Sequence, residues 1–297
     1  MTHRTSVALN RRYRLSEVCR VWRVARSSVY AHRGSAGAEP GRRRGPVGPC
    51  SDADLVERLR EVLSRSPFQG EGYRKAWARL RIRGVRTSKE RVRRLMRDHG
   101  LQAPYFPKRQ RGSKAHDGTI TTHQPDEMWG TDATATLTRD EGAAFVFIAV
   151  DHCTSECIGI HASRSGSRHE ALEPIRQGVR ASFARFDQNA AIGLSVRHDH
   201  GSQYMSHDFQ QELRFLGIRS TPAFVAEPEC NGVAERFIRT LKEQLLWVQT
   251  FDTIEELRLE LLAFKKRYNN QWLVQKHGHI TPAQARKNLS QQAALAA

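Results

Sequence analysis

Three acidic residues occur where the neighbouring sequence predicts ordered secondary structure. Asp132 lies in the alternating stretch WGTDATAT, Asp199 closely follows the apolar run AIGLSV, and Glu235 lies in the helical pattern NGVAERF. A carboxylate at the end of a core strand is costly to bury unless something binds it. Three carboxylates gathered from two strands and a helix would repel one another unless divalent cations lay among them, and hard oxygen ligands suit Mg²⁺ or Mn²⁺. The pattern therefore predicts a metal site, with a chance arrangement of surface acids as the alternative.

The helix predicted to carry Glu235 has two distinct faces. At about 100° per residue, Glu235, Arg239 and Lys242 share one stripe, with Asn231 nearby. An adjoining apolar face, which would pack on the sheet, is formed by Ala234, Phe237, Ile238, Leu241, Leu245 and Val248. The helix would thus present a carboxylate beside cations suited to phosphates. The alternative is a salt-bridged surface helix.

The sequence from about residue 126 supplies the elements that such a site needs. Three strand-like runs, EMWGTDATATLT, AAFVFIAVDHC and ECIGIHAS, precede a helix, a fourth strand in AIGLSVRHD, another helix and a short strand in IRSTPA. Two more helices follow, one through NGVAERFIRTLKEQLLWV and one from about residue 253 to 269. This order predicts an α/β fold in which a mixed sheet carries helices on its faces.

The net charge of the chain indicates a polyanionic partner. Its 297 residues include 48 Lys and Arg against 31 Asp and Glu, which gives a net charge of +17 and a pI near 10.3. Such a balance favours nucleic acid as the ligand. The hydrophobic content of 39% supports a packed core and excludes a wholly disordered protein.

Membrane-spanning and secreted classes are disfavoured. The longest apolar run, AAFVFIAV, is too short to cross a bilayer, and the N-terminus lacks a hydrophobic signal core. The five cysteines are scattered, so a reducing cytoplasm is the expected location. Cys153 and Cys157, with His152 and His161 nearby, are residue types that bind zinc, but their spacing is not that of a standard finger. Half-buried thiols are the favoured interpretation.

Composition divides the chain into several segments. The first thirty residues indicate two short helices capped by Ser16 and Ser27, which suits a helix-turn-helix and a plain helical hairpin equally well. In chain order the predicted segments are a helix-turn-helix-like unit (1–33), a flexible Gly/Pro/Arg linker (34–50), a basic helical module (51–102), a connector (103–125), a sheet-containing core with a C-terminal helix (126–285) and a tail (286–297).

The basic helical module has the composition of a duplex-DNA-binding unit. Ser51 and Asp54 form a capping box at its start, and a later helix begins near Thr87 or Ser88 and stops at Gly100. Phosphate contacts would supply affinity before any base is read, and a solvated basic face is the alternative. The cations predicted to contact DNA are Arg74, Lys75, Lys89, Arg93 and Arg94.

At this point the motifs resemble a known family. The stretches GTDAT, RHDHGSQYMS and NGVAERFIRTLKEQ look like the three signature blocks of DDE transposases in the retroviral-integrase superfamily, above all the second-frame catalytic protein of insertion sequences of the IS-three type. The stretch GYRKAWARLRIRGVRTSKERVRRLMRDHGL is similar to the DNA-binding module that precedes the catalytic domain there. Many relatives have Ser-Asp-Arg where this chain has His198, Asp199 and His200. Strand alternation predicts that His198 points away from the metals.

The resemblance implies an RNase H-like integrase core and assigns site residues. Asp132, Asp199 and Glu235 would be the catalytic, metal-binding triad for two Mg²⁺ or Mn²⁺ ions. Lys242 matches a position that contacts the terminal DNA, and Arg239 would help to hold phosphates. Three further neighbours, for which substrate orientation and a structural role are equally open, are Gln203, Tyr204 and Asn231.

The function implied by the resemblance is that of a bacterial insertion-sequence transposase. It would bind the terminal repeats of the element and target DNA as a homo-multimer on paired ends. It would cleave 3′ ends and transfer them in the cytoplasm, associated with the nucleoid. An upstream helix-turn-helix and zipper protein is a further expected partner or fusion. The alternatives are a non-catalytic regulator and an RNase H-like nuclease that never joins DNA.

Overall fold

The computed structural model describes residues 4–35, 50–104, 121–223 and 231–296. The chain divides into two compact units, residues 1–48 and 49–297. Most of the predicted linker and of the predicted connector lies outside the described residues.

The N-terminal unit contains two short helices, α1 (Leu15–Val21) and α2 (Arg26–Ser35). The prediction that Ser16 and Ser27 cap these helices is wrong, because both residues lie inside them. At the start of α1 the Glu17 carboxylate accepts a hydrogen bond from the Arg14 N–H at 3.2 Å. The start of α1 is thus stabilised by a side chain of its first turn that binds back to the N-cap residue Arg14.

The basic module consists of α3 (Asp52–Ser64), α4 (Tyr73–Ile82) and α5 (Lys89–Asp98). The predicted capping box is confirmed: Ser51 Oγ accepts from the Asp54 N–H at 3.1 Å, and the Asp54 carboxylate accepts from the Ser51 N–H at 3.3 Å. Ser88 caps α5 by accepting from the Arg91 N–H. The three helices enclose one apolar cluster, which includes Leu55, Leu59, Leu80, Val92 and Met96.

The central feature of the larger unit is a five-stranded mixed sheet, as predicted. Its strands are β1 (Met128–Thr138), β2 (Gly142–Asp151), β3 (Cys157–Ser163), β4 (Ser195–His198) and β5 (Arg219–Pro222). Their order is β3-β2-β1-β4-β5, with β1, β2 and β3 antiparallel and with β4 and β5 running parallel to β1. The observed β4 is shorter than predicted, because Gly193 has φ +97° and interrupts the extended backbone before it.

Helices cover both faces of the sheet. One face, called the α6 face, packs against α6 (Arg168–Phe183) and α8 (His207–Phe215), with the short α7 (Ser202–Met205) before α8. The opposite face, called the α9 face, packs against α9 (Gly232–Leu241) and α10 (Ile254–Gln271). A 3₁₀ turn (Gln275–His277) and α11 (Pro282–Ala296) follow. None of the helices in the described ranges is long and apolar enough to cross a membrane.

The helix predicted through Val248 changes character before it ends. After α9 the chain continues as a π-helical segment, Lys242–Leu246. The apolar face was predicted correctly from Ala234 to Leu245, but Val248 is 53% exposed. A π turn contains one more residue than an α turn, so the residues beyond it rotate away from the sheet.

The predicted tail is helical and anchored. Helix α11 runs through the predicted boundary at residue 285. Within it, the Arg286 guanidinium donates to Asp126 Oδ2 at 2.6 Å and also pairs with Glu156. The C-terminal helix is therefore tied to both ends of the first hairpin of the sheet.

Candidate active site

Asp132 lies on β1, the central strand of the sheet. Since Trp129 packs on the α6 face, the alternation of side chains along the strand places Asp132 on the α9 face. One of its carboxylate oxygens accepts a hydrogen bond from the Ala133 N–H at 2.8 Å. The backbone thus orients this side chain without neutralising its charge.

Asp199 directly follows β4, which runs parallel beside β1. The paired register reaches Gly130 and Arg197, and continuing it by two residues brings Asp199 beside Asp132. The Gly201 N–H donates to Asp199 Oδ1 at 2.8 Å. A Cβ atom at position 201 would lie 2.6 Å from Gln203 Nε2 and 2.9 Å from the same Asp199 oxygen, so glycine lets both side chains lie close to this turn.

Glu235 is exposed in the first turn of α9. Buried apolar residues, among them Ala234 and Phe237, fix this helix on the α9 face. Asn231, the residue before the helix, donates from Nδ2 to the Thr131 carbonyl oxygen at 2.9 Å. The start of α9 is therefore attached to β1 one residue away from Asp132.

The charges of Asp199 and Glu235 both act on Asp132. Burial raises the pKa of the Asp132 carboxyl to about 6 against the opposing effect of the Ala133 N–H, and the charges of Asp199 and Glu235 raise it further. Lys242 opposes the increase. At this end of the parallel strands, like charges act on one another, and their repulsion lowers the stability of the folded protein.

The donor set suits a divalent cation, although the side chains are not gathered around one point. Among the described residues, no group of three His, Cys, Asp or Glu side chains is close enough to hold a metal ion as arranged here. Carboxylate oxygens are nevertheless the ligands that Mg²⁺ and Mn²⁺ prefer, and a cation would relieve the repulsion that raises the pKa of Asp132. The chemistry of Asp132, Asp199 and Glu235 thus fits such ions.

A polar interior, which no pattern in the sequence predicts, lies on the α9 face next to the carboxylates. A Cβ atom at Gly130 would lie 2.6 Å from Asn231 Oδ1 and 2.8 Å from His152 Nε2. Arg197, beside Gly130 in the sheet, is 8% exposed, and its Nε and Nη1 atoms have no hydrogen-bond partner. Burial, together with the charges of Arg197 and Lys276, lowers the pKa of His152 to about 4, so this imidazole is neutral. Gly130 is needed for Asn231 and His152 to approach the strand.

The predicted phosphate-binding cations lie along the helix beyond Glu235. Lys242, the first residue of the π segment, is half-buried. It is close enough to lower the pKa of Asp132. Arg239 is exposed and donates from Nε to Glu243 Oε1 at 2.8 Å. Both residues thus belong to the surface that extends from the carboxylates along one helix.

The five cations predicted to bind DNA in the basic module divide into different environments. Lys75 faces the core, with Nζ 2.6 Å from the centre of the Trp272 ring. Arg94 pairs with Asp52 at 2.7 Å. Arg74 and Lys89 are exposed and lie over the Tyr73 and Trp77 rings respectively. The fifth, Arg93, is exposed and donates hydrogen bonds from Nε and Nη2 to the Glu90 carboxylate.

The residues between Asp199 and α8 support the site from the α6 face. His198 is fully buried and stacks on Tyr204 with ring centres 5.6 Å apart, so it points away from the carboxylates as predicted. Tyr204 is also fully buried, and its hydroxyl has no hydrogen-bond partner. Burial raises its pKa far above the usual range. Its environment is that of an interior residue, as is that of Asn231, whereas Gln203 is half-buried.

The thiols near the second hairpin are interior groups. Cys153 and Cys157 are buried, and burial raises the pKa of Cys157 to about 12. A protonated, inaccessible thiol is a poor metal ligand. The structure therefore favours the structural interpretation of these residues over zinc.

Family models match most of the larger unit. Residues 122–228 match a model described as "Integrase core domain", and residues 216–282 match a second model with the same description. Residues 51–110 match an "HTH-like domain". Together with the five-stranded mixed sheet, the integrase core matches confirm the predicted RNase H-like fold.

Curated relatives are transposases. The chain is similar to the "Transposase InsD for insertion element IS2A/D/F/H/I/K" of Escherichia coli, with 27% identity over 201 residues. The match covers 66% of this chain and 65% of that protein, so the chain spans just under two thirds of the relative's length.

Similar solved structures are viral integrases. The catalytic core domain of BIV integrase has 18% identity and a TM-score of 0.42, and the match covers 57% of this chain and 98% of that one. A simian T-cell lymphotropic virus intasome in complex with PP2A regulatory subunit B56 gamma has 18% identity and a TM-score of 0.45, with 80% and 74% covered. The HTLV-2 integrase catalytic core domain in complex with magnesium has 14% identity and a TM-score of 0.41, with 55% and 97% covered.

Proposed function

We propose that this chain, which belongs to the DDE transposases of insertion elements, cleaves DNA at the ends of its element and transfers the freed 3′ ends to target DNA. The observation that carries the proposal is the carboxylate edge, which we define as Asp132, Asp199 and Glu235. These residues come from β1, the end of β4 and α9, and the pKa of Asp132 is raised by burial and, to a smaller extent, by the charges of Asp199 and Glu235. The basic module in the same compact unit supplies cations for duplex DNA.

Divalent cations would be held by the carboxylate edge. When bound, Mg²⁺ or Mn²⁺ supplies charge stabilisation to the phosphate and lowers the pKa of the attacking hydroxyl or water, a task that suits two ions. Asp132, Asp199 and Glu235 would be the residues that hold these ions. The nearby Lys242 would face the substrate.

The chain's own part in the chemistry is positioning. Lys242 and Arg239 would hold backbone phosphates in line, which is the larger part of the protein's work in phosphoryl transfer. In the first step, water oxygen bonds to phosphorus while the 3′ oxygen leaves with a proton. In the second step, that 3′ hydroxyl attacks a target phosphodiester, and a target 3′ oxygen leaves. Asn231, which donates to the Thr131 carbonyl oxygen, holds the start of α9 beside the strand that carries Asp132.

The partners follow from this reaction. The substrates are duplex DNA at the terminal repeats of the element and at the target. Joining two ends to one target requires a multimer of the chain on paired ends. An upstream helix-turn-helix and zipper protein would act with the chain or be fused to it, and the bacterial nucleoid is the place of action.

An assay for joined strands tests the proposal. Duplex DNA carrying the end of the encoding element is incubated with the full chain and Mg²⁺ or Mn²⁺, and cut and joined strands are resolved by length. Wild type should give both products only with metal. Asp199→Asn should give neither product, whereas the matched control Asp140→Asn, at the exposed turn between β1 and β2, should match wild type. Cutting without joining would indicate a nuclease, and binding with neither product in either metal would indicate a regulator.

A further inference from the structure

The basic module is packed against the sheet-containing core through a defined surface. We call it the module–core contact and define it by Phe68, Gln69 and Lys75 of the module and by Gln244 and Trp272 of the core. Phe68 is 3% exposed and belongs to the apolar cluster of the α9 face. Its ring meets the Trp272 ring edge-on with centres 4.9 Å apart. A module side chain thus completes the core of the neighbouring domain.

Polar groups fix the orientation of this contact. The Gln69 N–H donates to Gln244 Oε1 at 2.8 Å, and Gln244 Nε2 donates to the Gln69 carbonyl oxygen at 3.0 Å. The Gln244 amide therefore pairs with one peptide group of the module in both directions. Such a reciprocal pair fixes position and angle, as apolar packing alone does not.

Lys75 contributes to docking from the module side. Its ammonium group lies over the Trp272 ring, an arrangement that favours the cation. Burial lowers the pKa of Lys75 to about 7, against the opposing charges of Glu71 and Glu243. Because this side chain is covered by the core, it is not on the surface that meets DNA.

The contact joins the module to the helix that carries the carboxylate edge. Gln244 lies in the π segment that continues α9, nine residues after Glu235. At the α-helical rise of 1.5 Å per residue this spacing is about 14 Å. Lys242 lies between the two residues. The attachment point of the module and the carboxylate edge are therefore parts of one continuous helical element.

The module presents α5 outward. Arg91 and Arg94 are engaged with Asp52 of α3. The exposed cations of α5 are spaced at four-residue intervals, so they form one stripe along the helix, and they are Lys89, Arg93 and Arg97. Their ion pairs with Glu90 and Asp98 are exposed and so contribute little, which leaves them available for phosphates or bases. This stripe is the exposed basic surface of α5.

We propose that the module–core contact is a fixed spacer, which sets the distance between the sequence bound by α5 and the phosphodiester cleaved at the carboxylate edge. This inference rests on the proposed function and adds to it how the cleavage position is chosen. Two units joined only by a flexible linker would bring a range of phosphodiesters to the metals. One rigid unit presents a single one, and reacting groups misplaced by about 1 Å lose about 10²-fold in rate.

The first test changes the protein. The full chain is compared with Gln244→Ala, Trp272→Ala and the matched control Trp247→Ala, since Trp247 is 67% exposed and lies outside the contact. End-labelled duplex DNA from the end of the element is cut with Mg²⁺, products are mapped to the nucleotide, and binding is measured by gel shift. The control should behave as wild type. Both contact variants should bind within about threefold of wild type but cut at the wild-type position at least tenfold less, with the remaining products spread over neighbouring positions.

The second test changes the DNA and requires no variant. One to three base pairs are inserted between the block protected by the module and the cleaved phosphodiester. If the module–core contact is a fixed spacer, wild type should cleave at a constant number of base pairs from the DNA block that the module protects. The inference is overturned if the cut instead remains at the terminus, or if Gln244→Ala and Trp272→Ala cut at the wild-type position at the wild-type rate. Failure of wild type to cut any substrate would reject the proposed function itself, and the spacer with it.

Discussion

At the carboxylate edge, Asp132 is held beside Asp199 and Glu235, and its pKa is raised by burial and by both neighbours. Near the module–core contact, the more deeply buried acid Glu71 accepts hydrogen bonds from Arg79, one of them at 2.9 Å, and from Ser66 Oγ at 2.9 Å. Both regions therefore bury acidic side chains, but only the second surrounds its acid with cationic and hydroxyl donors.

The difference distinguishes a structural charge from a functional one. A buried ion pair whose donors are satisfied fixes the arrangement of the parts that it joins. Like charges held together lower stability and persist where another species, such as a metal ion or substrate, completes the site. Substitutions at the carboxylate edge should therefore act mainly on activity, and substitutions at Glu71 mainly on stability.

The largest effect is expected on activity at the carboxylate edge. Asp132→Asn keeps the acceptor for the Ala133 N–H but removes the charge that would hold metal. Metal-dependent cleavage and joining should fall by about 10³-fold, as when an electrostatic stabiliser of a transition state is removed. Single-turnover rates measured beside Asp140→Asn check this expectation. A rate within tenfold of wild type would mean that the carboxylate is not part of the reaction.

The next largest effect is expected from the polar interior beside the edge. Gly130→Ala would place a methyl group within 3 Å of Asn231 and His152 and displace the start of α9. Activity should fall by about 10²-fold through misplacement of Glu235. DNA binding by the module should be unchanged. Gly142→Ala is a control in the next turn of the hairpin, where no atom lies within 4 Å of the new Cβ but φ is +76°. It should reduce stability slightly and leave the rate per folded molecule unaltered.

At Glu71, where cationic and hydroxyl donors compensate the buried charge, a substitution is expected to reduce stability and not catalytic activity. Glu71→Gln would leave the partly buried Arg79 without its carboxylate and lower the free energy of unfolding by about 3 kcal/mol. Urea unfolding followed by tryptophan fluorescence measures this change. Under strongly stabilising conditions, the rate of DNA cleavage per folded molecule of Glu71→Gln should be much closer to that of wild type than the rate of Asp132→Asn is. An unaltered unfolding midpoint would contradict the assigned structural role.

The smallest expected effect is a gain in stability, in contrast to the loss expected for Glu71→Gln. The folded-state pKa of Asp132 is raised from 3.8 to about 6, so ionisation opposes folding. This cost appears as pH rises through 3.8, is complete above about 6, and is on the order of 3 kcal/mol. Asp132→Asn should therefore stabilise the metal-free protein by about 1–3 kcal/mol at pH 7.5 and by less at pH 4.5. Paired denaturation curves at the two pH values check the sign, and equal or lower stability at pH 7.5 would be inconsistent with the raised pKa.

Regular patterns in the sequence predicted much of the fold and of the site. Alternation along β1 and the polar residue after an apolar run predicted Asp132 and Asp199 on two strands of the sheet, and the structure shows that these strands are neighbours. The helical period placed Glu235 and Lys242 on one stripe. These features are local, so spacing along the chain determines them.

What the sequence did not predict depends on contacts between distant segments. Lys75 has the same local pattern as an exposed cation, and only Trp272, far along the chain, covers it. Gly130 resembles any strand glycine until His152 and Asn231 approach it. The π segment after Leu241 is a single turn, which is too short to produce a recognisable periodic pattern of apolar residues.

The central claim is that the carboxylate edge holds divalent cations for DNA joining, and binding of Mn²⁺ to the protein on its DNA end tests it most directly. Free Mn²⁺ is followed by electron paramagnetic resonance during titration of wild type, Asp132→Asn and Asp140→Asn. The account predicts saturable binding by wild type and Asp140→Asn, and binding at least about tenfold weaker by Asp132→Asn, comparable to losses seen when metal-site residues are altered. Equal Mn²⁺ binding by all three proteins would contradict it.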